Sequence, residues 1–116
     1  MEKKVFLALL LDFYGPLLTP HRREVLSLYC EEDMSFQEIA DQMGITRQGA
    51  HDAARAAEAQ LEKYEEALSL LSRYQRITRE VDACRACLKR VRAEGESGEA
   101  LKEALDALDR IDRIER

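Results

Sequence analysis

Apolar positions recur along this chain at the three- and four-residue spacing of helices. The run Val5-Phe6-Leu7-Ala8-Leu9-Leu10-Leu11 predicts the buried face of a first helix over about 3–14. Gly15-Pro16 ends it, Gly supplying a left-handed residue past the helix end and Pro refusing to continue. Thr19-Pro20 reads as an N-cap followed by proline at the first helical position. The second helix carries Val25, Leu26 and Tyr29 on one side and frays near Glu31-Glu32-Asp33, whose charges oppose the helix dipole. Ser35-Phe36-Gln37-Glu38 is a capping box, in which hydroxyl and carboxylate satisfy each other's backbone N–H. It opens a short helix with Phe36, Ile39, Ala40 and Met43 facing inward. Gly44 ends that helix, Ile45 plugs the turn and Thr46 caps the next. Two short capped helices around a glycine turn are the outline of a helix-turn-helix.

From Arg47 onward, Ala50, Ala54, Ala57, Leu61, Tyr64, Leu68 and Leu71 alternate by four and three, a heptad-like seam. A second seam, Leu70, Tyr74, Ile77, Val81, Cys84, Leu88 and Val91, keeps the spacing but is shifted by one residue. One unbroken helix would have to change its buried face, so a break is expected near Ser72, where Ser72-Arg73-Tyr74-Gln75 can form another capping box. Glu94-Gly95-Glu96-Ser97-Gly98 reads as a polar linker before a last amphipathic helix with Leu101, Leu105, Leu108 and Ile111. The reading is all-α, with a helix-turn-helix domain at 1–72, including its extended last helix, and an amphipathic helical extension at 73–116. These seams hold more apolar stripe than so small a chain covers by itself, so a homodimer is expected.

Composition sharpens this picture. With 116 residues, 35% charged, 5 Gly and 2 Pro, the chain is one ordinary domain or a small domain plus an extension, and a turn-rich β fold is disfavoured. Lys3-Lys4 before an apolar run mimics a signal peptide, but Asp12 interrupts the run and no small-residue cleavage site follows. No stretch nears the roughly 20 apolar residues that span a bilayer, so a cytoplasmic protein without a membrane partner is expected. Three cysteines make no disulfide framework. Cys84-Arg85-Ala86-Cys87 lacks the second pair a zinc site needs and the preceding strand of a thioredoxin-like site, so Cys84 is read as a small apolar seam residue. His21 and His51 have no nucleophile nearby in sequence, and no glycine-rich phosphate loop occurs. The expectation is a non-enzyme with no cofactor, metal or small-molecule substrate.

Two surfaces are candidates for binding. On the helix starting at Arg47, the residues facing away from the alanines are Arg47, Gln48, His51, Asp52 and Arg55, the face that enters the major groove in a helix-turn-helix. Arg pairs with guanine and Gln with adenine, while Thr46, Arg22 and Arg23 are placed for phosphates. Residues 19–55, however, hold four basic and seven acidic groups, which disfavours tight duplex binding. A helix-turn-helix used only as a packing scaffold is the alternative. Residues 73–92 hold seven basic and two acidic groups. Arg76, Arg85 and Lys89 there suggest an RNA or phosphate surface, or else a solvated helix paired with the acidic last one.

Leu11-Asp12-Phe13-Tyr14-Gly15-Pro16-Leu17-Leu18-Thr19 and His21-Arg22-Arg23-Glu24-Val25-Leu26 resemble the opening of the YlxM-type helix-turn-helix family. The resemblance continues through Ser35-Phe36-Gln37-Glu38-Ile39-Ala40, Gly44-Ile45-Thr46-Arg47-Gln48 and the run from Ala57 to Glu65, about the first 72 residues. The central part is also similar to region 4 of bacterial sigma factors, which reads promoter DNA. The family resemblance implies an all-α bacterial cytoplasmic protein, encoded beside the signal recognition particle GTPases and acting in that targeting pathway. Partners so implied are the particle's RNA or GTPase, with duplex DNA as the alternative for an autonomous transcription regulator. It carries site roles over to Thr46, Arg47, Gln48, His51, Arg22 and Arg23, while Gly49 and Ala50 depart from the usual pattern.

Overall fold

A computed structural model describes residues 2–115. They gather into two compact units, one ending at Leu71 and one beginning at Ser72. The regular elements among them are all helical.

In the first unit, α1 (Lys3–Tyr14) buries Leu7, Leu10, Leu11 and Tyr14. Its end differs from the expected left-handed glycine: Gly15 keeps right-handed helical angles and leads into a 3-10 turn, Gly15–Leu17. A Cβ at Gly15 would stand 3.2 Å from the Arg23 Nε, so a side chain there would have to move that arginine by a few tenths of an ångström. Thr19 caps α2 (Pro20–Cys30), its side chain accepting from the Arg22 N–H, and α2 buries Val25 and Leu26. The full capping box forms at α3 (Phe36–Met43), with Glu38 N–H donating to Ser35 Oγ at 3.1 Å and Ser35 N–H donating to Glu38 Oε1 at 3.0 Å. That backbone donor holds the Glu38 carboxyl below its ordinary value. Gly44 takes the left-handed conformation at φ 68°, the turn of the helix-turn-helix.

Helix α4 (Arg47–Leu68) is the spine against which α1, α2 and α3 all pack. Its buried stripe is Ala50, Ala54, Ala57 and Leu61. Three alanines let neighbouring backbones come close, and large residues from the other helices fill the space: Leu7, Leu10, Tyr14, Leu26 and Ile39 are at most 1% exposed. Burying each such aliphatic side chain contributes roughly 1.5–3 kcal/mol before entropy is counted.

The helix break falls at Ser69 rather than near Ser72. Ser69 has φ 55°, a left-handed angle, and α5 (Leu70–Lys89) starts immediately after it. The new helix end is satisfied from a distance: Leu70 N–H donates to the Tyr14 hydroxyl and Leu71 N–H to Glu65 Oε1, both at 3.0 Å. The Tyr14 hydroxyl in turn donates to Glu65 Oε1 at 2.7 Å. Burial, followed by the Glu65 contact, pushes the Tyr14 phenol above its ordinary pKa.

The second unit holds the rest of α5 and α6 (Gly95–Glu115). The segment expected as a linker over 94–98 is already helical from Gly95. Val81 is buried on the second seam, but Cys84 is exposed, against the expectation that it packs there. Arg85 bridges the two helices, meeting Asp82 at 2.8 Å, Asp109 at 3.1 Å and Asp112 at 2.7 Å.

Candidate nucleic-acid interface

The first turns of α4 build the expected reading face from a capped end. Thr46 Oγ1 accepts the Gly49 N–H at 2.9 Å, and a Cβ on Gly49 would stand 2.9 Å from the same oxygen. The absent side chain at Gly49 therefore leaves room for the cap. Arg47 and Gln48 project into solvent, and Arg47 makes no ion pair among the described residues.

Other groups on this face are engaged within the chain. Gln48 Nε2 donates to Asp52 Oδ1 at 2.8 Å, and the His51 Nδ1 lies 3.5 Å from the same carboxylate oxygen. The His51 ring stands edge-on to Phe36 with centroids 5.1 Å apart, and Phe36 stacks on Tyr29 at 4.8 Å. Phe36, expected to face inward, is only half-buried and serves as a brace for His51. Arg55 leans 3.4 Å from Glu58, whose carboxylate also binds Lys3 at 2.7 Å. Phe36, Arg47, Gln48 and His51 line a shallow depression at the end of α4.

Arg22 and Arg23 lie elsewhere. Arg22 Nη1 donates to Gln60 Oε1 at 3.1 Å, and Gln60 passes the contact to the Tyr64 hydroxyl at 2.8 Å. Gln60 is thirteen residues along α4 from Arg47, which is about 20 Å of helix. Arg22 thus fastens α2 to α4, and Arg23 covers Gly15. The aromatic brace and the Arg22 tether were missed because their partners are 15 and 38 residues away in sequence.

On α5, Arg76 and Lys89 are exposed, whereas Arg85 is held by three carboxylates, with the Asp112 contact foremost in raising its pKa. No group of three or more His, Cys, Asp and Glu suited to a metal ion occurs among the described residues. No helix among them is long and apolar enough to cross a membrane.

Capped α3, a left-handed glycine turn and a capped α4 with an exposed first turn define a helix-turn-helix protein. A family model described as "Putative helix-turn-helix protein, YlxM / p13 like" matches residues 1–95, and the chain belongs to this family, UPF0122. Similar relatives include a UPF0122 protein of Symbiobacterium thermophilum, 46% identical over 69 residues, which are 60% of this chain and 64% of that one. One from Geobacillus kaustophilus is 45% identical over 75 residues, 65% of this chain and 68% of the relative. Another, from Caldanaerobacter subterraneus, is 46% identical over 71 residues, 61% of each chain. The chain thus spans between 61% and 68% of the length of these relatives.

Proposed function

We propose that this chain is a non-enzymatic helix-turn-helix regulatory protein, with a core of sigma-factor region 4 type, acting as a homodimeric accessory of the signal recognition particle pathway. The observation that carries the reading is the self-neutralised recognition face. Asp52 engages Gln48 and His51 and Glu58 draws Arg55, leaving Arg47 without an ion pair among the described residues at the tip of α4. Arg22, still charged, is held by Gln60 farther along the helix. Non-specific duplex affinity grows with the number of phosphates neutralised, so so few available cations make a weak autonomous DNA binder. Such a face suits an assembly in which other contacts share the binding, here the particle's RNA or its GTPase. The motif-by-motif resemblance of the first 72 residues directs the reading to that pathway.

The second reading is a duplex-DNA regulator, favoured by the solvent-exposed Arg47 and Gln48 on the first turn of α4. One competition separates them. Labelled particle RNA–GTPase complex is bound near physiological salt and challenged with excess mixed-sequence duplex. Retention on the complex is expected; transfer to the duplex, abolished by Arg47→Ala/Gln48→Ala, would establish the regulator instead.

A further inference from the structure

Asp52 contributes little to the fold. Its side chain is 67% exposed, and the contacts it makes, to Gln48 Nε2 at 2.8 Å and His51 Nδ1 at 3.5 Å, are both on its own helix. It is the sixth residue of α4, past the first turn in which the helix dipole rewards negative charge. A Gln–Asp pair four residues apart adds only slightly to helix stability.

Its place on the reading face is another matter. Gln48, Asp52 and Arg55 follow one another by four and three, and Arg47, His51 and Arg55 by four, so the five share one side of α4. Asp52 is the one acid among residues 47–55. Arg47 is five residues from it, about 7.5 Å along the axis, which is inside the screening length of about 8 Å at physiological salt. A phosphate attracted by Arg47 therefore also meets the Asp52 charge and is repelled. The same carboxylate engages the Gln48 amide, the group that would meet the edge of an adenine.

Duplex DNA suffers from this more than other partners. Its major groove has phosphates along both walls, so a carboxylate near the tip of an entering helix meets negative charge on either side. A partner that is not a duplex need not put phosphate there.

We infer that Asp52 is a specificity-determining residue whose carboxylate makes the α4 face reject duplex DNA. This rests on the weak-duplex reading of that face given above and names the side chain that sets it. Arg47 supplies the attraction that Asp52 opposes.

Fluorescence anisotropy tests it, with a labelled mixed-sequence duplex titrated by the full chain at low and at near-physiological salt. Asp52→Asn removes the charge and keeps an oxygen for Gln48. It is expected to tighten duplex binding roughly three- to tenfold, most at low salt. Adding Arg47→Ala to that variant is expected to abolish the gain. Glu66→Gln removes the same charge from an exposed position of α4 fourteen residues beyond Asp52, about 21 Å away, and is expected to leave the affinity unchanged. An Asp52→Asn variant that gains nothing, gains no more than Glu66→Gln, or keeps its gain without Arg47 would overturn the inference and leave the weak-duplex reading standing. Weaker binding by Asp52→Asn would overturn it as well, because the carboxylate would then be accepting from a base amine. Tight duplex binding by the wild type would overturn that reading and the inference together. Both substitutions keep the size of an exposed side chain, and a matching far-ultraviolet circular dichroism spectrum confirms that each variant is folded.

Discussion

Single side chains carry unusual responsibility in the first unit, and Tyr14 carries the most. Its ring is fully buried against Tyr64, with centroids 5.8 Å apart, while its hydroxyl joins Glu65 to the Leu70 N–H. Tyr14→Phe keeps the ring and removes the hydroxyl, leaving the Leu70 N–H without its acceptor and Glu65 Oε1 with the Leu71 N–H but not the phenol. The expected loss is about 1–3 kcal/mol in urea unfolding, with faster hydrogen exchange at the Leu70 amide. An unchanged midpoint would show that water replaces the hydroxyl without cost. Nothing local marks Tyr14 for this duty: the sequence places it at the last position of the first expected helix, beyond the apolar run that ends at Leu11. Its partners are 51 and 56 residues away, beyond the reach of spacing arguments.

Elements divide by whether their ends are made locally. Thr19, Ser35, Gly44 and Thr46 stop or start helices through contacts within a few residues, so these boundaries are legible from sequence. The junction of α4 and α5 is not, because Ser69 turns left-handed and its caps come from Tyr14 and Glu65 instead of from Ser72. A non-glycine residue in that conformation costs roughly 1–2 kcal/mol. Ser69→Gly is therefore expected to raise stability by up to about 1 kcal/mol, read as a higher thermal midpoint, part of the gain being offset by the looser unfolded chain. A lowered midpoint would mean that the serine side chain holds the junction itself. The candidate reading face divides in the same way. Arg47 and Gln48 follow from the cap and the helical period, whereas the Phe36 brace and the Arg22 tether required the folded structure.

Across the whole molecule, the two units are held by opposite means. The first has a packed core around the alanine stripe of α4; the second has, among its described residues, one buried valine and a guanidinium among three carboxylates. Arg85→Ala is expected to speed amide exchange through the second unit and to leave protection of Leu10, Leu26 and Leu61 unchanged. Equal acceleration in both units would show that they unfold as one. The Tyr14–Leu70 bond also orders events in time. It closes a loop of 56 residues, so it forms only after the intervening helices have brought α1 and the end of α4 together. During synthesis, α1 emerges early, yet its last side chain waits for a backbone group made much later. The start of α5 is then the final part of the first unit to be fixed, and a chain stalled before Leu70 leaves that hydroxyl without its latest-made partner.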